Sequence, residues 1–139
     1  MSYSRLVKAW VLVVALSAGA AMAQGDAIVA TGTFHGAVHK CDGRATIYKT
    51  ANGEVLRLTH FKTSNGPDLH VILIAASDGE DNENFLDKKI ERIELGPLKG
   101  NEGDQNYAIP AGTDLNKFKA VSIYCVRFNA NFGTAPLEK

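Results

Sequence analysis

The sequence predicts an all-β domain, an antiparallel sandwich or barrel of about eight short strands, preceded by a cleavable signal peptide. Its apolar residues come in short runs broken by Gly, Asn, Asp and Pro, a pattern that favours strands over helices. The chain beyond residue 23 is long enough for one two-layer core and too short for two domains. We therefore divide it into a signal peptide, residues 1–23, and one β domain, residues 24–139.

The first 23 residues have the three parts of a secretory signal peptide. Arg5 and Lys8 precede an uncharged, mainly apolar run over residues 9–23, which ends in the small-x-small sequence of residues 21–23. A membrane-spanning helix takes about 20 apolar residues, more than this run provides. We expect cleavage after Ala23 and an exported protein, periplasmic or secreted, with no membrane span after cleavage.

Loss of the signal peptide changes the charge of the chain. Two of the 15 basic residues leave with it, so the mature chain has 13 basic and 15 acidic residues, a formal charge of −2. Nucleic acids and anionic membranes select basic patches. Nucleic acid is therefore not an expected partner.

The strands follow one another along the mature chain, separated by turn residues. A hairpin turn is predicted at residues 50–53 and a second turn at 64–68, where Pro67 stops any helix. The Gly112 break precedes a possible single helical turn at 114–117. The predicted strands are 28–35, 44–49, 54–62, 68–76, 89–95, 105–109, 120–127 and 128–132.

Alternation along two of these strands assigns side chains to faces. In strand 120–127, Val121, Ile123 and Cys125 share one face, which we expect to line the core. Both faces of strand 68–76 are apolar apart from His70. That strand is therefore expected to be central and covered on both sides.

The two cysteines of the chain, Cys41 and Cys125, leave two interpretations open. In an exported domain a disulfide between them would close a long loop and stabilise the fold by about 4–5 kcal/mol, less any strain. Alternatively, Cys125 is a working thiol and Cys41 its resolving partner or a bystander. No CxxC sequence is present, which excludes thioredoxin-type chemistry.

The histidines offer weaker candidate sites. His35, His39 and Cys41 lie within seven residues and could hold a transition metal, with Cys125 or His70 as a fourth ligand. The alternative is a polar loop in which a histidine bonds to backbone. The C-x-x-C-H sequence of c-type haem is absent, and no His follows Cys125 as blue copper requires.

Short motifs spread over nearly the whole mature chain resemble the DM-thirteen (DM13) domain family. Each motif alone is unspecific, but together they cover residues from about 32 to 137. They are residues 32–34, His39, 43–48, 56–58, Phe61, 65–71, 95–101, 103–107, 109–110, 121–125, Phe128, Phe132 and 135–137.

The resemblance implies an all-β extracytoplasmic domain with a role in electron transfer. In animals the domain occurs beside cytochrome-linked modules, and its recurrent cysteine, Cys125 here, is proposed to act as a thiol or as a ligand to a prosthetic group such as haem. The family's cysteine is often described as acting alone, so Cys41 is a departure. If Cys41 pairs with Cys125, the thiol is hidden in a disulfide.

These observations lead to two functional hypotheses. The first is an exported electron-transfer or thiol-redox accessory centred on Cys125, with His39 or His70 as a ligand or tuning residue and an envelope redox partner. Haem or a transition metal could take part, although the sequence requires no cofactor. The second is a non-catalytic extracytoplasmic module that binds a partner or small ligand and is stabilised by a Cys41–Cys125 disulfide. No complete catalytic constellation is recognisable, so an enzyme is the less favoured class.

Overall fold

The computed structural model describes residues 26–79 and 89–139, and the predicted signal peptide lies outside them. Over these ranges the chain forms only antiparallel strands, which confirms the all-β prediction. None of the described residues belongs to a helix long and apolar enough to cross a membrane. The strands are β1 (Ala27–Thr33), β2 (Cys41–Thr50), β3 (Gly53–Thr63), β4 (Leu69–Ile74), β5 (Arg92–Pro97), β6 (Gln105–Ala108), β7 (Ala120–Cys125) and β8 (Ala130–Pro136).

The strands form two four-stranded sheets packed as a sandwich. The first sheet has the order β1-β2-β3-β6 and the second β5-β4-β7-β8. Buried apolar side chains from both sheets form one continuous core between them. Along one side the edge strands β1 and β8 approach each other, since Thr31 pairs with Glu138 and His35 with Thr134 in isolated bridges.

The alternation of faces predicted for β7 and β4 is confirmed. Val121, Ile123 and Cys125 of β7 lie in the core between the sheets. Strand β4 is central, between β5 and β7, and its outward-facing Ile72 and Ile74 are fully buried in a second apolar cluster. This strand is therefore apolar on both faces because both faces are covered.

The predicted hairpin between β2 and β3 is also observed. Strand β2 ends at Thr50 and β3 begins at Gly53, whose φ of 121° suits glycine. The Thr50 hydroxyl donates to the Gly53 carbonyl at 2.8 Å. The turn thus fixes the register in which the apolar residues of β2 and β3 share a face.

The last strand was predicted in the wrong place. The sequence suggested 128–132, whereas β8 spans Ala130–Pro136 and residues 126–129 form the turn after β7. Asn129 adopts a φ of 49°, a left-handed conformation that asparagine tolerates. Phe128 is half-exposed in this turn, so its apolar character was misleading.

Candidate functional site

The two cysteines lie at the same end of the sandwich, on opposite sheets. Odd-numbered strands end there and even-numbered strands begin there, because each connection reverses the chain direction. Cys41 is the first residue of β2 and Cys125 the last residue of β7. We call this the cysteine end; the connections 34–40, 64–68, 98–104 and 126–129 enclose it.

Both cysteines are buried thiols in the core cluster, and no disulfide joins them. Cys41 is 4% exposed and Cys125 has no exposed surface. Cys125 pairs across the sheet with Leu69 of β4 and Ala130 of β8. Cys125 therefore lies among apolar core residues.

Cys41 reaches across the core to the opposite sheet at Gly133 of β8. A Cβ atom built on Gly133 would lie 2.5 Å from the Cys41 Sγ and closer still to its Cβ. Gly133 pairs with Ile123, and Cys125 follows two residues later on β7, about 7 Å further along the strand. The two thiols therefore belong to one core cluster and lie at the same end of the sandwich.

His39 is the histidine that the structure places beside this pair. Its ring stacks on Phe132 of β8, with ring centroids 3.6 Å apart and planes 4° from parallel. Phe132 is buried in the same core cluster as both cysteines. His39 therefore covers the cysteine end from the β1–β2 connection.

His70 lies on the other face of the second sheet. Its neighbour Leu69 points into the core opposite Cys125, and successive residues of a strand point to opposite faces. The fold therefore separates the His70 ring from the Cys125 sulfur. A direct ligand or hydrogen-bond role for His70 toward Cys125 has no support in this geometry.

The His70 ring is held between two carboxylates. Nε2 contacts Asp68 Oδ1 at 2.9 Å and Nδ1 contacts Glu94 Oε1. Partial burial alone would lower the pKa of His70, but the hydrogen bonds and charges of Glu94 and Asp68 outweigh it and raise that pKa above the usual value of 6.5. This cluster was missed from the sequence: the spacing of Asp68 two residues before His70 was a signal for one partner, whereas Glu94 lies on another strand and gave none.

The possible metal set of His35, His39 and Cys41 does not converge. His35 Nε2 contacts Asp78 Oδ1 at 2.6 Å, while His39 stacks on Phe132. Within residues 26–79 and 89–139 no group of three His, Cys, Asp or Glu side chains is placed to hold a metal ion.

A haem ligated by Cys125 does not fit this arrangement either. The side chain is fully buried among Leu69, Ala130 and other core residues, and protein interiors are close-packed. A macrocycle at the sulfur would require the two sheets to separate.

Exposed apolar side chains gather at the cysteine end. Among the described residues four large hydrophobic side chains are exposed, and three of them, Val38, Val126 and Phe128, lie in the connections 34–40 and 126–129. Val38 is 76% exposed. We call these three residues the apolar rim; alternation patterns could not reveal it, because its members lie in loops.

Fold and site together define a class: a two-sheet antiparallel β-sandwich with a buried pair of thiols at one end. Comparison with known families then makes the assignment specific. The chain matches the family described as "Electron transfer DM13" over residues 33–137, and it belongs to that family. The resemblance noted in the sequence is thereby confirmed. No curated protein matched the chain, and no solved structure did.

Proposed function

We propose that this protein is an exported electron-transfer domain whose redox centre is Cys125, with Cys41 as its partner thiol. The observation that carries the proposal is the presence of two buried, unbridged thiols, on opposite sheets, at one end of the core. Membership of a family named for electron transfer supports the class of function. The signal-like first 23 residues support export to a compartment where thiol oxidation is favoured.

The chemistry available to this pair is the two-electron dithiol–disulfide couple. On oxidation the two thiols release two protons and two electrons, and a bond forms between the Cys41 and Cys125 sulfurs; reduction reverses each change. A disulfide requires Cα atoms about 4.4–6.8 Å apart. Cys41 is the first residue of β2 and Cys125 the last of β7, so a bridge would join the two sheets at the cysteine end.

A redox partner would meet the protein at the apolar rim. The connections 34–40 and 126–129 adjoin Cys41 and Cys125 in sequence, and they carry the exposed Val38, Val126 and Phe128. Exposed apolar groups next to a buried centre are typical of a docking surface. The partner we propose is an envelope redox protein that contacts these two connections.

The test is a redox titration of the purified protein in glutathione buffers. Each sample is quenched in acid, unfolded, alkylated and weighed intact, so that buried thiols are counted. We expect two alkyl groups under reducing conditions and none, with the loss of two hydrogens, under oxidising conditions. Cys41→Ser and Cys125→Ser should each abolish the two-electron transition. Two thiols that stay reduced at every glutathione ratio would overturn the proposal.

The alternative is a binding module in which the Cys41–Cys125 bridge is purely structural. The complete burial of Cys125 favours it, since an inaccessible sulfur exchanges slowly. The same redox titration distinguishes the binding module from the electron-transfer domain. A bridge that resists the most reducing glutathione buffer supports the module, and one that opens within the buffer range supports electron transfer.

A further inference from the structure

A second candidate site lies at the end of the sandwich opposite the cysteines. It is an apolar cavity of about 300 Å³ between the first sheet and the segments that flank β7 and β8. Its position makes it independent of the thiol chemistry proposed above. The lining residues are Ala30, Ile47, Leu115, Asn116, Lys119, Leu137 and Lys139.

The cavity exists because a small residue occupies an inward position of β1. The pairing of β1 with β2 shifts register between Ile28 and Ala30, which sets Ala30 opposite Ile47. Both side chains are buried and close the inner end of the cavity, while the partly buried Leu115 and Leu137 give it apolar walls. An alanine methyl fills little of the space between the sheets here, and neighbouring segments form the walls around the gap that remains.

Two hydrogen-bonded segments build those walls. The backbone N–H groups of Lys117 and Phe118 donate to the Asp114 carbonyl at 3.1 and 3.0 Å, forming the turn that carries Leu115 and Asn116. The Leu137 N–H donates to the Lys119 carbonyl at 2.8 Å, which joins the end of β8 to the start of β7. The cavity is thus a fixed feature of the fold.

The rim of the cavity is cationic. Lys119 and Lys139 are exposed at its mouth, and the Lys139 ammonium donates to the Asn116 side-chain oxygen. No Asp or Glu is among the lining residues. An apolar floor with ammonium groups at the opening matches a molecule with an apolar tail and an anionic head.

We infer that this cavity binds a single-chain amphiphile with a carboxylate head, the tail against Leu115 and Leu137 and the head between Lys119 and Lys139. At roughly 30 Å³ for each methylene-sized group, the volume accepts a tail of about ten carbons. Charge complementarity selects the anion over a neutral or cationic amphiphile of the same length.

The experiment titrates the isotopically labelled protein with decanoate and, separately, with decanol and decyltrimethylammonium, each below its micelle concentration. We expect saturable amide shifts in residues 30, 47, 115–119 and 137–139 with decanoate. One charge-assisted hydrogen bond corresponds to about tenfold in affinity, so decanol should bind about tenfold more weakly. Lys119→Ala should weaken decanoate to a similar extent and leave decanol unchanged.

Lys117→Ala is the matched control, because Lys117 lies in the same turn but contacts Glu91 and the Phe118 ring instead of the cavity. It should bind decanoate like the parent. Ala30→Leu should block both ligands, with its unfolding midpoint recorded to show that it is folded.

Three results would overturn the inference: equal affinity for decanoate and decanol, absence of saturable binding, or shifts confined to the apolar rim at the cysteine end. The thiol titration is unaffected by any of these outcomes, so the two proposals fail separately.

Discussion

At the scale of single residues, the charges of the Asp68–His70–Glu94 cluster contribute to the stability of the second sheet. His70 is part-buried on β4, Glu94 is on β5, and Asp68 lies in the connection before β4. The Asp68 carbonyl also accepts a hydrogen bond at 2.9 Å from Val126, in the turn after β7. A protonated imidazole therefore links three segments of the second sheet by charge-assisted hydrogen bonds.

His70→Gln should lower stability in acid and not in base. The pKa of His70 is raised on folding above its usual value of 6.5, so its stabilising contribution is complete below 6.5 and is lost as the pH rises through the folded-state pKa. Since both carboxylates are about half exposed, we expect about 1 kcal/mol at acid pH. Urea unfolding of both proteins across this range measures the difference; a difference independent of pH would contradict the assignment.

Gly133→Ala should destabilise the protein by about 1–3 kcal/mol, because the new methyl group would overlap the Cys41 side chain. Gly100→Ala is the matched control, since its Cβ would meet only the Glu102 carbonyl at an ordinary 3.6 Å. Cys41→Gly should rescue part of the loss, whereas Cys41→Ala keeps the clashing Cβ and should not. Denaturation midpoints of the single and double variants measure these effects. If Gly133→Ala destabilises the Cys41→Gly variant as much as it destabilises the parent, the two residues are not in contact.

At the scale of elements, the β7–β8 hairpin carries a polar network inside apolar packing. The Ser122 hydroxyl donates to Asn131 Oδ1 at 2.7 Å, and Asn131 Nδ2 donates to the Thr134 hydroxyl at 2.7 Å. The Gly133 N–H also donates to Asn131 Oδ1, at 3.2 Å. All four residues are buried, so Asn131 holds the irregular register between Ile123 and Tyr124 in place.

Asn131→Ala should cost about 2–4 kcal/mol, because it leaves the Ser122 hydroxyl and the Gly133 N–H buried without their acceptor. Ser122→Ala removes one donor and should cost about 1 kcal/mol, since the Gly133 N–H still satisfies the Asn131 oxygen. Thermal unfolding of the two variants measures the ranking. Equal losses would mean that Asn131 contributes no more than its hydrogen bond with Ser122.

This hairpin also shows how far sequence patterns reach. The two-residue alternation of β7 predicted the inward direction of Cys125 correctly, because one face of the strand packs on the core. The position of β8 was missed, since a bulge and the left-handed Asn129 leave no alternating pattern. The Glu94 partner of His70 and the contact of Cys41 with Gly133 depend on residues of other strands, which local patterns do not encode.

At the scale of the whole molecule, a bond between Cys41 and Cys125 would join the two sheets at one end. The chain between these residues includes most of the domain, so the entropic stabilisation reaches about 4 kcal/mol before strain is subtracted. Oxidation should therefore raise the melting temperature by several degrees. The melting temperature of the Cys41→Ser/Cys125→Ser double variant should not respond to oxidant. If the bridge forms in the parent and leaves its melting temperature unchanged, strain in the folded state offsets the entropic stabilisation.

The reduction potential of that bridge decides between its two roles. The reduction potentials of structural disulfides in secreted proteins typically lie below about −300 mV. Those of redox-active dithiol–disulfide couples lie at about −120 to −270 mV, which we call the working range. Electron transfer through the pair, as proposed, requires a bridge that is more easily reduced than a structural one. We expect a potential in the working range from the glutathione titration. A value below about −300 mV would assign the pair to structure and leave the binding-module hypothesis in its place.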